Sequence, residues 1–424
     1  MSTSASTSAV VLDIDITRTV SELNTLGDAE TALVLFRLHG RPLGWGAASV
    51  VDGRVDRAAL IRQLLEQHAW SCALALTERA LQNGAPPKTL DLTGMLQSPP
   101  QDSNSGPLVT VAVCNTTPAA RLETSLESLQ RLNYSPLDIV VIDASDDRTR
   151  VERLVSERFP HMRYRGAPGS DAGADAAPWC AVDECRGDIL AITDGEAIVD
   201  PRWVSKLANI FLADPDVMTV SGLVLPHHVQ KPFRATLPAG APFCREWSRI
   251  GLESGSAEDW LRQVLNRPSA NVALWRPGRG PSASHTHVFE PAAIVRSQLP
   301  TLMPPAVRRV SIRESERAFD LADGVRAIAD ATAFDGVTLR VAWQGRAIGT
   351  AHIPHRGAIV SPLWVADAIA QQLTAEILDA RLGVGEHVCR ALLTADLARF
   401  VLTRTPLSLP SPAATPRKRT SSAA

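Results

Sequence analysis

Lysine is almost missing from this chain. Of 43 Lys and Arg residues only Lys88, Lys206, Lys231 and Lys418 are lysines, and 45 acidic residues bring the formal net charge to −2. That balance supplies no global basic field, so nucleic acid is excluded as the default partner. Cysteine is sparse as well. Cys72, Cys114, Cys180, Cys185, Cys244 and Cys389 are scattered, and the single C-x4-C pair fits neither a zinc knuckle nor a redox motif, so a reduced chain is expected. No apolar run approaches the roughly 20 residues needed to span a bilayer. The segment Met1–Val11 is Ser/Thr/Ala-rich and lacks the basic start and apolar core of a secretory signal. These absences predict a cytoplasmic protein with no membrane span, for which peripheral membrane association stays open.

What is present is length, 424 residues with 45% hydrophobic ones, enough for two or three units at about 150 residues each. Residues 83–106 hold Pro86, Pro87, Pro99, Pro100, Gly84 and Gly106 among polar residues, and read as a linker that packs no core. Residues 403–424 combine prolines, serines and Arg417-Lys418-Arg419, and read as a disordered tail. An internal repeat frames the rest. TALVLFRLHGRPLGWG at 31–46 resembles GVTLRVAWQGRAIGT at 336–350, about 305 residues later, each an alternating run, a Gly-Arg turn and a second run. Each hairpin is followed by a turn, at Asp52-Gly53 or Arg356-Gly357, and then by an amphipathic helix, Arg57–Ala80 or Pro362–Ala380. Residues 1–82 and 299–402 are therefore expected to form two similar small α+β modules around an inserted domain, 107–298.

Within 107–298 the rhythm changes to short β-branched runs alternating with helical segments, the signature of a parallel sheet covered by helices. Strands are predicted at Leu108–Cys114, Asp138–Asp143, Met162–Arg165, Ile189–Thr193 and Val217–Leu225. Helices are predicted at Pro118–Leu132, Arg148–Phe159, near Ala176–Cys185, and at Arg202–Leu212. Ligands of such sheets bind beyond the carboxyl ends of the strands. Two of those ends are acidic, Asp143-Ala144-Ser145-Asp146-Asp147 and Asp194-Gly195-Glu196. An acid-x-acid turn offers two hard oxygen ligands, suited to Mg²⁺ or Mn²⁺ holding a diphosphate. The competing reading is a polar turn before the next helix.

VTVAVCNTTPAARLETSLESLQRLNYSPLDIVVIDASDDRT, followed by RGDILAITDGEAIVDPRWVSKLANIFLADPDVMTVSGLVLP, resembles the nucleotide-binding half of a family-2 glycosyltransferase with a GT-A fold. The resemblance covers roughly Pro107–Pro226 and continues more faintly to His287. It implies a Rossmann-like α/β fold with a mixed, mostly parallel sheet and helices on both faces. It implies that Asp143 lies where the family contacts the donor base or ribose, with Asn115 and Thr116 beside it, and that Asp194 and Glu196 fall on the metal-binding triplet. Asp259, with Glu258 as the alternative, matches the helix-start acid that serves as general base. His285, in Ser284-His285-Thr286-His287, matches a strand whose histidine completes the metal site, although a surface histidine pair fits the same residues.

The resemblance thus implies inverting transfer from a nucleotide-sugar donor to a glycan, lipid-linked or small-molecule hydroxyl acceptor. The chain departs from the pattern at Gly195, where a third acid is usual, and in Gly169–Arg186, which lacks the customary Arg and Asn. Its acceptor region is short, since only residues 227–257 separate Pro226 from Glu258. A catalytically degenerate binding or scaffold protein is therefore the second reading. A nucleotidyltransferase would need a basic Gly-rich loop after the first strand, and Asn115-Thr116-Thr117-Pro118 has no Gly, Lys or Arg.

Overall fold

A computed structural model describes residues 8–17, 26, 29–97, 102–167, 177–225, 228–230, 249–252, 271–275, 285–296 and 313–404. The chain begins with strands β1 (Ser8–Asp15), β2 (Thr31–Leu38), β3 (Arg41–Val51) and β4 (Arg54–Val55), then helices α1 (Arg57–Gln82) and α2 (Leu92–Gln97). Strand β1 runs parallel to β2, and β2 and β3 form the predicted hairpin. Its tight turn puts His39 and Gly40 at positive φ, which only a residue without a Cβ adopts freely, so Gly40 is needed there. Asp56 caps α1 by accepting the Ala59 N–H. The linker expectation fails in one respect: α2 lies within 83–106, and its Leu92 and Leu96 are buried in the core under β1–β3. A high proline content hid a one-and-a-half-turn helix with two apolar anchors.

The middle of the chain contributes β5 (Ser105–Asn115), α3 (Ala119–Leu129), β6 (Ser135–Asp143), α4 (Arg148–Arg158), β7 (Arg163–Gly166), α5 (Ala177–Asp183), β8 (Ile189–Asp194), β9 (Ile198–Val199), α6 (Trp203–Ala213), β10 (Val217–Leu225), β11 (His228–Gln230), β12 (Arg249–Leu252), β13 (Val272–Trp275) and β14 (His285–Arg296). The large sheet has the order β12-β14-β10-β13-β8-β5-β6-β7, with β9 paired to β14. Tracing the pairings, β5, β6, β7, β8, β10 and β14 all point one way, and β9, β12 and β13 oppose them. Helices α3, α4 and α6 cover one face with Val109, Val111, Val113 and Val141. Helix α5 covers the other, over Ala112, Val140, Ile142 and Leu190. This is the Rossmann-like α/β architecture expected, mostly parallel and covered on both faces. The antiparallel β13 was not foreseen, because a four-residue run carries too little periodicity to register. Asn271 anchors it: buried, it accepts the Trp203 indole N–H and donates to the carbonyls of Leu223 and Ala293, tying α6, β10 and β14 together.

The chain closes with β15 (Glu314–Asp320), β16 (Gly336–Trp343), β17 (Arg346–Ile353), α7 (Pro362–Leu382) and α8 (Glu386–Arg404). The first repeat unit returns here position by position at an offset of 305. Strand β15 is parallel to β16, and β16 is antiparallel to β17 with the same bulge, between Val341 and Ala342 as between Phe36 and Arg37. Ser361 caps α7 where Asp56 caps α1. Leu373 of α7 backs onto Gly349 as His68 of α1 backs onto Gly44, and in both cases a Cβ on the glycine would overlap the helix side chain. The two units are also interlocked. Leu81, at the end of α1, sits in the core of the second unit, and Leu378, Cys389, Leu393, Leu397 and Val401 of α7 and α8 complete the core of the first. Gln82 donates to Asp367 across the junction at 2.9 Å.

The two copies differ on their outer sheet faces. On the first, Ala9, Val11, Leu33, Leu35 and Trp45 are apolar, and Leu35 and Trp45 pack on Leu223, Leu225 and Ile294 of the large sheet while β1 pairs with β11. An ion pair, Arg37 to Asp13 at 2.5 Å, lies in the same interface with Asp200 and Arg296 close by. At the equivalent positions of the second copy stand Glu314, Glu316, Thr338, Arg340 and Thr350, with Glu316 and Arg340 ion-paired on an exposed face.

Candidate functional site

The large sheet reverses its strand order at β5: the chain passes outward through β6 and β7, then crosses back to place β8 on the other side of β5. In open α/β sheets such a switch point leaves a crevice beyond the carboxyl ends of the diverging strands. Here those ends are Asn115 on β5, Asp143 on β6 and Asp194 on β8. The register aligns them, Asn115 opposite Asp143 and Cys114 opposite Asp194. The structure thus brings Asn115, Asp143 and Asp194 together on one edge.

Asn115 and Asp143 are fully buried. The Asn115 carboxamide accepts the backbone N–H and hydroxyl of Thr117 at 3.1 and 2.9 Å, and donates to Asp143 Oδ1 at 2.9 Å. Asp143 Oδ1 also accepts the Ser145 N–H at 3.1 Å, and Oδ2 accepts the Tyr164 hydroxyl at 3.1 Å. Burial, and then the Asp143 charge, raise the Tyr164 hydroxyl above its ordinary pKa, so it remains a donor. Thr116 lies exposed in the loop after β5. Tyr164 and Ser145 were not singled out from sequence; only the 21-residue separation closed by the β6–β7 pairing makes the tyrosine a neighbour of Asp143.

The acid-x-acid turn follows β8. Asp194 Oδ1 accepts the Glu196 N–H at 3.0 Å, which folds the turn on itself. Gly195 lies against Asn115, where a Cβ would come within 2.1 Å of Oδ1, so no side chain fits at the position of the usual third acid. Glu196, largely buried, pairs with the exposed Arg121 of α3 at 3.2 Å. The neighbouring Cys114 thiol is pushed up to about 12 by burial and then by the Asp194 charge, which keeps it protonated. Among the described residues no group of three or more His, Cys, Asp and Glu side chains gathers for a metal ion. Two carboxylates on one turn do suit Mg²⁺ or Mn²⁺, hard cations that take one or two protein carboxylates together with substrate phosphates and water.

Glu258 and Asp259 lie outside the described residues. His285 begins β14, opposite Leu252 of β12, and its side chain also lies outside them. His287, two residues on, has its Nδ1 2.7 Å from the Thr219 hydroxyl and its Nε2 3.0 Å from the Ser221 hydroxyl, which ties it into β10.

Residues 108–250 match the model of glycosyl transferase family 2. Among curated proteins, the chain is 24% identical over 183 residues to glucosyl-dolichyl phosphate glucuronosyltransferase of Haloferax volcanii. That match takes in 40% of this chain and 52% of the relative, so the chain spans about half the length of the curated relative. Among solved structures, mannosyltransferase PcManGT from Pyrobaculum calidifontis in complex with GDP-Man and Mn²⁺ is similar over 57% of this chain and 68% of that one. There the identity is 19% and the TM-score 0.33.

Proposed function

We infer that this chain, whose middle third is a family-2 glycosyltransferase domain, transfers a sugar from a nucleotide-sugar donor to an acceptor hydroxyl. The observation that carries the reading is the switch-point edge itself, where Asn115, Asp143 and the Asp194-Gly195-Glu196 turn line adjacent strand ends within the region that matches the family. In this reading the nucleoside lies at the β5–β6 side and the diphosphate at the β8 turn. Asp194 and Glu196 would hold Mg²⁺ or Mn²⁺, which when bound offsets charge on the departing diphosphate. Asp259, or Glu258, would take the proton from the acceptor hydroxyl as it attacks the anomeric carbon with inversion. The acceptor classes are a glycan, a lipid-linked sugar or a small molecule, and the name of the Haloferax relative favours the lipid-linked one. The division into modules 1–82 and 299–402 around domain 107–298 belongs to the same reading.

Donor hydrolysis and transfer, assayed with and without Mn²⁺, test it. Activity that requires metal and falls at least a hundredfold in Asp194→Ala is expected; activity unchanged by that substitution would sink the metal assignment. A second reading, a degenerate transferase that binds without turnover, is favoured by one specific observation. Glu196 is already paired with Arg121, and Gly195 leaves no room for a third acid. Calorimetry with a panel of nucleotide-sugars separates the two, since binding without turnover identifies the degenerate protein.

A further inference from the structure

The nucleoside side of the proposed crevice has an unexpected distribution of hydrogen-bonding capacity. Asp143, the acid at the end of β6, is fully buried, and its two oxygens accept three donors: Asn115 Nδ2, the Ser145 N–H and the Tyr164 hydroxyl. Each of those donors comes from a different element, so the carboxylate is the centre of a closed network joining β5, β7 and the β6–α4 loop. A group so enclosed has little left to offer a ligand. Two residues further on the situation is reversed. The Ser145 hydroxyl is buried and has no hydrogen-bond partner among the described residues.

Buried hydroxyls without a partner are uncommon, and each calls for an explanation. Thr77, Ser125, Thr193 and Ser315 also carry one, but they stand within α1, α3, β8 and β15. Ser145 alone of these five lies in a loop at the carboxyl edge of the sheet, between half-buried Ala144 and exposed Asp146. It stands two residues past the end of β6, on the edge where β5 and β8 also end in Asn115 and Asp194. The Ser145 N–H bond to Asp143 fixes the backbone there.

We propose that the Ser145 hydroxyl, and not the Asp143 carboxylate, makes the hydrogen bond to the nucleoside of the donor. Asp143 is a positioning residue, clamped by Tyr164 and Asn115 so that its bond to the Ser145 N–H holds the loop in place. The ligand is a nucleoside diphosphate, contacted through a ribose hydroxyl or a base edge, and a serine suits either because it donates and accepts. This rests on the transferase reading above.

The test is titration calorimetry on the full chain with Mn²⁺, using UDP, GDP and inorganic pyrophosphate as probes. Ser145→Ala is expected to weaken nucleoside diphosphate binding about five- to tenfold, the equivalent of one hydrogen bond, while leaving pyrophosphate binding unchanged. Asp143→Asn retains an oxygen acceptor for the Ser145 N–H and is expected to weaken nucleotide binding less than Ser145→Ala does. Unchanged nucleotide affinity in Ser145→Ala overturns the proposal, as does a folded Asp143→Asn that loses more affinity than Ser145→Ala. If Asp143→Asn does not fold, the Ser145→Ala comparison between nucleotide and pyrophosphate decides alone. A wild-type chain that binds no nucleoside diphosphate overturns the transferase reading as well, an outcome distinct from intact wild-type binding that ignores Ser145.

Discussion

Asp15 and Asp320, 305 residues apart, hold their hairpins in the same way. Asp15 accepts the backbone N–H groups of His39 and Gly40, at 3.2 and 2.6 Å, and Asp320 those of Gln344 and Gly345, at 3.0 and 2.7 Å. Each acid ends the first strand of its unit and clasps the turn between the next two, so one side chain sets the position of three strands. The match of acid, turn, bulge, helix cap and helix-on-glycine packing at a single offset is a duplication written in contacts.

The clasp makes stability depend on pH. Burial pushes the Asp15 carboxyl up, but the hydroxyl and N–H of Thr17 and the N–H of Gly40 outweigh it and hold it below its ordinary value. An acid depressed in the folded state contributes stability above its unfolded pKa, near 4, and loses it as pH falls through the lower folded value. Asp15→Asn is therefore expected to cost about 1–2 kcal/mol at pH 7 and progressively less below pH 4. Urea unfolding of both proteins at pH 7 and pH 2.5 checks this, and a constant difference across that range would count against it.

Gly195→Ala is expected to destabilise the chain by about 1–3 kcal/mol and to weaken nucleotide binding with it. The added methyl meets Asn115 Oδ1 at 2.1 Å and Asn115 Cα at 3.1 Å, and the carboxamide cannot retreat because Thr117 and Asp143 hold it. Thermal unfolding together with calorimetry on UDP and GDP would detect both effects.

The buried pair between Asp13 and Arg37 is predicted to be replaceable as a pair but not singly. Removing Arg37 alone leaves Asp13 with only the more distant Arg296, at 3.7 Å, in a site where burial already raises its carboxyl pKa, at a cost of about 2–4 kcal/mol. The second copy carries Ala318 and Ala342 at these positions. The double substitution Asp13→Ala, Arg37→Ala should accordingly lie closer to wild type than Arg37→Ala does. Chemical unfolding of the two variants gives the ordering.

Arg121→Ala should leave stability within about 1 kcal/mol, since the arginine is mostly exposed and solvent screens its pair with Glu196. Removing it releases Glu196, so Mn²⁺ affinity should rise a few-fold. Titration with Mn²⁺ in the absence of nucleotide measures this, and a fall in affinity would assign Arg121 to the site in its own right.

The parts of the fold that could be read from sequence are those where burial writes a pattern. Val111–Val113, Ile139–Ile142 and Ile189–Ile192 are apolar runs because both faces of their strands are covered, and the intervening helices carry the expected stripe. The repeat was legible because its turns demand glycine at fixed positions. The elements β13 and α2 were not, being four and six residues long and held by partners distant in sequence, Asn271 with Trp203 and Leu92 with the first core. At the candidate site, strand-end acids announced themselves by position. That Asp143 is enclosed by Tyr164, and that Ser145 is the group left over, depends on cross-strand register, which one sequence does not display.

The interlocking of the two repeat units sets an order on biosynthesis. Strands β1–β3 and helices α1 and α2 leave the ribosome long before α7 and α8, which supply Leu378, Leu393, Leu397 and Val401 to the same core. At translation rates of about 5–20 residues per second, the roughly 300 intervening residues correspond to a wait of about 15–60 s. Throughout that interval the core of the first unit has α1 and α2 against its sheet but lacks the side chains that α7 and α8 add. The large sheet completes its own core from a contiguous stretch in the meantime, and β11 and the Leu223–Leu225 surface can receive the outer face of the amino-terminal strands before α7 and α8 exist.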